Sequence, residues 1–423
     1  MKNLILISFF LIGGSAGFAQ NITLMDCWAM ARENYPLIKG KEVLKRTTEL
    51  NILNINSKWF PQFTVSGQAS WQSDVPHVDA GSGMPGFSIP QAPKDQYKMN
   101  LDVSQTIYDA GKMRALAEVE EAKGNVEEQG IEIELHEIKR RVADLYFNVL
   151  MLSHQEKQVD QKLEALNARR KELSSLYENG VVHKSSLKNI NAERLLVQQK
   201  LVSIQSGIKV LLNNLSSYIG QNIKNTENLQ VPGVESFFNT GDRPEYQLFQ
   251  YQKEQLQKTG DLDERNRWPV LVAFGQAGYG NPGYNMLNDE FDIYYMVGLK
   301  LKWTPWDWKE THRKKLVVEK RTQLINYREK AFRVNQERAV RQIDGDIDQF
   351  LKMMEYDDRI VVLRKEVVLE SETRLKNGTV TFSDYLMDLN AAVEARINRD
   401  LHKLQYLRGM ALKFITEGGS QNQ

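Results

Sequence analysis

Residues 62–72 read Gln62-Phe63-Thr64-Val65-Ser66-Gly67-Gln68-Ala69-Ser70-Trp71-Gln72, with polar and apolar-or-small positions alternating throughout. Period-two patterning over about ten residues predicts a β-strand with one oily face. Other runs repeat it. Tyr97, Met99, Leu101 and Val103 alternate with Lys98, Asn100, Asp102 and Ser104. Ile293, Tyr295, Val297, Leu299 and Leu301 alternate with Tyr294, Met296, Gly298, Lys300 and Lys302. The run 270–278 is the weakest, with apolar residues on both faces. Alternation alone fits a half-buried antiparallel sheet in water as well as a strand in lipid. Tryptophan separates the two. Trp59, Trp268, Trp303, Trp306 and Trp308 fall where helical patterning meets strand patterning, and Trp71 lies near the opposite strand end. Aromatic girdles at both strand ends suit a membrane interface, so the expectation is a transmembrane β-barrel.

The rest of the chain reads as helix. All 11 prolines lie between Pro36 and Pro93 or between Pro232 and Pro305, leaving 94–231 and 306–423 free of them. Proline breaks helix interiors, so these two blocks are predicted to be helical. In the first, Ile138, Val142, Leu145, Val149, Leu152, Val159, Leu163, Leu166 and Leu173 follow steps of three and four, with Glu156 and Arg170 interrupting. That is coiled-coil packing. The second block follows the repeat less strictly through Val340, Ile343, Ile347, Phe350 and Met354.

Composition sets limits. The 423 residues carry 55 Lys and Arg against 54 Asp and Glu, which gives no reason to expect nucleic acid as a partner. A mean hydropathy of −0.48 excludes a polytopic helical membrane protein. The single cysteine, Cys27, excludes an intrachain disulfide framework and a cysteine-based zinc site. Residues 1–19 read as a cleavable secretory signal: Lys2, a short apolar core over 4–12, then Gly17-Phe18-Ala19.

The sequence also matches itself. Pro36, Pro61 and Gly67 recur as Pro244, Pro269 and Gly275, 208 positions on. Tyr108-Asp109, Asn179-Gly180 and Gly220 recur as Trp306-Asp307, Asn377-Gly378 and Gly418, 198 positions on. One loop in the Pro/Gly-rich segment 74–95 accounts for the change of offset. The expected organisation is therefore a signal peptide (1–19), a first repeat (20–220), a linker (221–243), a second repeat (244–418) and a tail (419–423). Each repeat has a leading helix, 23–57 or 245–267. A strand pair follows at about 61–107 or 269–303, then a helical hairpin at 109–220 or 306–418. At 1.5 Å per residue each long helix would extend roughly 100 Å. Four strands cannot close a membrane barrel, whose smallest forms have about eight, and lipid tolerates no open edge. Several chains must share one barrel: two would give about eight strands, three about twelve.

The run Leu24-Met25-Asp26-Cys27-Trp28-Ala29 to Glu33-Asn34-Tyr35-Pro36, the Trp59-Phe60-Pro61 approach to a strand and the doubled Asn-Gly turn resemble the TolC-type outer-membrane efflux family over nearly the whole mature chain. The resemblance implies a homotrimer in outer-membrane lipid, its 12-stranded barrel continued by a periplasmic α-helical barrel. It implies a passive conduit for small molecules (drugs, toxic solutes or metal ions), docked to a periplasmic adaptor and an inner-membrane transporter. By the same resemblance the hairpin tips meet the adaptor, through Asn179, Gly180, Val181, Ser185, Asn377, Gly378, Thr379 and Ser383. Asp384 matches a pore-facing carboxylate at the family's entrance. Three copies would form an acidic ring, whereas the plain alternative is a first-turn acid on a helix dipole. A second family acid falls at Met387, with Asp388 the nearest carboxylate; Ser186 stands at the first-copy equivalent of Asp384, and Val380 replaces a latch arginine. Ser185 and Ser383 are expected to cap the return helices, after glycine stops at Gly180 and Gly378. Lys98, Asn100, Asp102, Lys300 and Lys302 would line the lumen.

No catalytic motif, cofactor or metal is expected. Gly81-Ser82-Gly83-Met84-Pro85-Gly86 fits a dinucleotide fingerprint but sits among prolines with no following helix. The histidines lack metal spacing and are expected mostly on polar helix faces. Two rival functions are a duct for protein (type I) secretion and a soluble periplasmic coiled-coil scaffold or adaptor.

Overall fold

The computed structural model describes residues 21–75, 93–180, 182–238, 241–286 and 289–419. The signal peptide, the 81–86 glycine motif, Val181 and residues 420–423 of the tail lie outside the described residues. The chain divides into two compact units: one of residues 39–131 and 245–332, the other of 1–38, 132–244 and 333–423.

The first unit holds the strands: β1 (Gln62–Trp71), β2 (Asp95–Tyr108), β3 (Val270–Asn281) and β4 (Asp292–Lys302). They form one antiparallel sheet in the order β1-β2-β3-β4. Registers Val65↔Leu101, Leu101↔Ala277 and Ala277↔Tyr295 carry the alternation across the sheet, so the alternating apolar positions of β1, β2 and β4 share one face. β1 and β4 are its edges.

Helices lead into and out of the sheet. Where the sequence suggests one leading helix over 23–57, there are two: α1 (Leu24–Asn34) and α2 (Leu37–Asn56). Tyr35 is extended, at ψ 128°, because the ring of Pro36 disfavours helical geometry in the residue before it. α3 (Lys112–Glu178) and α4 (Lys184–Ile219) form the first hairpin; α5 (Pro244–Arg265) precedes β3; α6 (Glu310–Lys376) and α7 (Phe382–Thr416) form the second hairpin.

The two strand-to-helix turns are built alike. At the first, Ala110 and Gly111 are left-handed and the Asp109 carboxylate accepts from the N–H of Gly111 and Met113, at 2.9 and 2.7 Å. At the second, Trp308 and Lys309 are left-handed and Asp307 accepts from the N–H of Lys309 and Thr311, at 3.1 and 2.9 Å. The Thr311 hydroxyl and N–H, helped by the Arg267 guanidinium, hold the Asp307 carboxyl at about 2. An aspartate that satisfies the orphan donors of a helix start is a strong cap.

The second unit has its core along α3. Ile138, Val142, Val149, Val159, Leu166 and Leu173 are buried as the heptad pattern predicts, and Tyr146, Phe147 and Leu150 join them from a second face. From that second face Tyr146 meets segments the heptad does not include. The Tyr146 hydroxyl lies 2.8 Å from the carbonyl of Ile22 and 2.5 Å from that of Gln230, where Ile22 bridges to Leu229. The 221–243 segment therefore contributes core: Ile223, Leu229 and Phe237 are buried. α1 closes the other side. Trp28 stacks on Phe414 at 5.8 Å and its indole N–H donates to the Lys139 carbonyl.

Candidate channel-forming surfaces

One sheet face is apolar and open. Phe63, Val65, Met99, Tyr295, Val297 and Leu299 all lie on it, and Tyr295 and Val297 are 79% and 77% exposed. No described segment of this chain covers it. Trp59, Trp268, Trp303, Trp306 and Trp308 are exposed beside the sheet end that joins the helices, and Trp306 packs edge-on against Trp308. Trp71 is exposed at the other end, where Phe291 stacks between Tyr97 and Tyr279. Among the described residues no helix is long and apolar enough to cross a membrane.

The opposite face gathers Lys98, Asn100, Asp102, Lys300 and Lys302 through the registers Asp102↔Gln276 and Gln276↔Met296. The structure also explains why β3 alternates poorly. Phe274 lies on the polar face against Gly298, where a Cβ would stand 2.8 Å from its ring. Tyr294 lies across Gly278 to donate its hydroxyl to the Asn100 side chain at 2.6 Å. Each aromatic fills the gap of a glycine on the neighbouring strand, a pairing that a single strand's sequence does not display. Tyr284, from the β3–β4 loop, packs at a tilt on Tyr294 with ring centroids 4.6 Å apart, and its hydroxyl donates to the Gln276 side-chain amide oxygen. Gln276 in turn donates to Asp102 at 2.7 Å.

The hairpin turns differ in their caps. Gly180 and Gly378 are both left-handed, at φ 74° and 69°, and the Thr379 N–H donates to the Arg374 carbonyl. Beyond them the expected serine caps are absent. α7 is capped by Thr381, whose hydroxyl oxygen accepts from the Asp384 N–H at 3.2 Å while the Asp384 carboxylate accepts from the Thr381 N–H at 2.9 Å. Ser383 is already inside the helix. α4 starts after His183, which makes no side-chain cap, and Ser185 lies in its first turn. The physical reason is the Thr-x-x-Asp spacing, which closes a reciprocal capping box that the first turn cannot make.

Of the residues expected at the entrance, Asp384 stands exposed at the second turn, and the Thr381 hydroxyl and N–H keep its carboxyl below the usual range. Asp388 accepts from the Ser371 hydroxyl of α6. Ser186 donates its backbone N–H to the His183 carbonyl, and Asn377 caps back onto Thr373. Nearby, the buried Arg169 of α3 pairs with Glu172 and lies 5.4 Å over the Tyr385 ring of α7, joining the hairpins. Two histidines leave the expected polar faces. His136 is buried at 2.9 Å from the Ile415 carbonyl, and His402 pairs with Asp357 at 2.8 Å.

α6 presents a further surface that the loose heptad hid. Val340, Ile343, Ile347, Phe350 and Met354 are half-buried, but Tyr356, Ile360, Leu363 and Val367, spaced by four, three and four, stand exposed. Such a stripe has the spacing of a coiled-coil seam.

Comparison with known proteins follows this geometry. Residues 30–221 match the model of the family described as outer membrane efflux protein. The outer membrane protein VceC of Vibrio cholerae is similar in structure, with a TM-score of 0.65 and 15% identity over 94% of this chain and 96% of that one. The CmeC outer membrane channel of Campylobacter jejuni gives 0.67 and 14%, covering 94% of this chain and 85% of that one. The open state of the MtrE outer membrane channel of Neisseria gonorrhoeae gives 0.64 and 14%, covering 96% and 93%. A search of curated proteins finds no match. The resemblance read from the sequence therefore holds: residues 30–221 match the outer membrane efflux family, and the chain has the fold of such channels along almost its whole length.

Proposed function

We propose that this chain is the outer-membrane channel of a tripartite export system, a homotrimer with a long periplasmic helical extension. The observation that carries the reading is the four-stranded sheet with one apolar exposed face and two unpaired edges. In lipid those edges must pair, and three copies joined β1 to β4 would close a 12-stranded barrel. The exposed α6 seam supports copies packed side by side in the helical region as well. The like-built turns at Asp109 and Asp307 support an internal duplication into repeats 20–220 and 244–418.

In this reading Lys98, Asn100, Asp102, Lys300 and Lys302 line the lumen, and the tryptophans form the girdles. The tips around Asn179-Gly180 and Asn377-Gly378 dock a periplasmic adaptor joined to an inner-membrane transporter, with Asp384 as an entrance carboxylate. The cargo class is small molecules, carried passively. Extraction of the full chain from outer membranes is the test. A detergent-dependent trimer that opens cation- and anion-permeable steps in a planar bilayer is expected; a soluble monomer recovered without detergent would overturn the reading.

A further inference from the structure

The β3–β4 loop does not simply extend beyond the sheet. Pro282 and Gly283 are buried, and a Cβ at Gly283 would stand 3.2 Å from that of Asp292 and 3.5 Å from the Tyr294 ring. This tight seat directs the next residue, Tyr284, onto the polar face. There its ring rests on Tyr294 at 4.6 Å and its hydroxyl reaches Gln276 at 3.2 Å. The support beneath is continuous. Tyr294 spans Gly278 to bond Asn100, and Gln276 bonds Asp102, so residues of β2 and β3 hold the aromatic pair. Tyr294 is 7% exposed while Tyr284 remains 52% exposed, so one ring is foundation and the other is surface.

We propose that Tyr284, seated on Tyr294 and Gln276, forms a size-limiting aromatic collar on the lumen side of the strand region. The inference rests on the channel reading above, in which the polar face lines the passage. Three copies would bring three exposed tyrosine rings toward one axis. A ring held by a tilted ring contact and a hydrogen bond swings aside less readily than a lysine side chain, so it restricts width more than charge. The collar would sort neutral and charged small solutes by cross-section, with the hydroxyl and ring face offering transient contacts to planar ones.

The experiment compares wild-type and variant trimers in planar bilayers, using single-channel conductance and exclusion of uncharged polyethylene glycols of graded size. Tyr284→Ala is expected to raise conductance by about 1.5-fold or more and to admit larger polymers, with ion selectivity unchanged. Tyr284→Cys supplies a second, gentler variant. Reaction with a bulky thiol reagent should lower its conductance, and the buried Cys27 should not respond. Wild-type conductance and polymer cut-off in Tyr284→Ala, or an unmoved current on thiol modification of Tyr284→Cys, would overturn the collar while leaving the channel standing. Wild-type protein that opens no channel at all would overturn the channel reading and the collar together.

Discussion

α3 and α6 each contain 67 residues and occupy corresponding places in the two hairpins, yet they bury their apolar residues very differently. α3 hides Ile138, Val142, Tyr146, Phe147, Val149 and Leu166 almost completely. α6, among its described residues, buries only Ile325, Asp357 and Ser371, and leaves Tyr356, Ile360, Leu363 and Val367 exposed. Equal length and similar pattern therefore serve different partners. α3 is the spine of its own protomer, enclosed by α1, the 221–243 segment and the return helices. α6 packs lightly at home, with Phe350 against His402 and Ile347 beside Gly409, and leaves a heptad-spaced stripe exposed.

The contrast can be broken most decisively on α6. Ile360→Asp combined with Leu363→Asp is expected to abolish the trimer in detergent, read by light scattering, while helical circular dichroism persists. A trimer of unchanged mass would mean that the α6 seam meets something other than a second copy. Next in size is the spine itself. Phe147→Ala should destabilise the helical unit by about 3–5 kcal/mol in denaturant titration, because truncating a fully buried aromatic leaves a cavity as well as lost burial. A cost below 1 kcal/mol would show that α3 is not the spine.

The hairpin turns sharpen the same comparison on a smaller scale. Thr381→Ala removes half of the capping box and should cost about 1 kcal/mol, seen as faster amide exchange at the start of α7. Ser186→Ala, in the uncapped first turn, should leave exchange at the start of α4 unchanged. The last effect is confined to acid. Burial pushes the Asp400 carboxyl up, but hydrogen bonds from His154, Arg399 and Gln158 prevail and hold it at about 2, below its ordinary 3.8. A depressed carboxylate stabilises the fold fully above the unfolded value and loses that contribution as pH falls through the folded one. Asp400→Asn should therefore flatten the stability profile between about pH 4 and 2 and leave it unchanged in shape at neutral pH. An identical acid slope in the variant would remove Asp400 as its source.

Much of this architecture is written locally. Period-two alternation at Phe63, Val65, Tyr295 and Val297 is a property of single strands, so the apolar sheet face can be read before any pairing is known. The left-handed glycines at 180 and 378 are equally local. What escapes the sequence depends on neighbours. Phe274 and Tyr294 look misplaced until Gly298 and Gly278 lie beneath them. Tyr146 falls outside the heptad because its hydroxyl meets the Ile22 and Gln230 carbonyls, on segments far along the chain, rather than a facing helix. Symmetry misleads at the turns. Ser185 and Ser383 share an offset and invite matching caps, but Thr381 with Asp384 makes the better box and moves the helix start. Tyr284 carries no pattern of its own, since its place follows from Pro282, Gly283 and the ring it lands on.

The contact between Trp28 and Phe414 has a consequence in time. α1 is made long before its stacking partner, Phe414, which lies near the end of α7. Around them, Lys139 reaches the Gly419 carbonyl and His136 the Ile415 carbonyl. The sheet can be complete once Lys302 has emerged, but the helical unit stays unclosed until more than a hundred further residues follow. A chain threaded N-terminus first thus keeps one unit open until the last turns of α7 have followed, and seals it only with them.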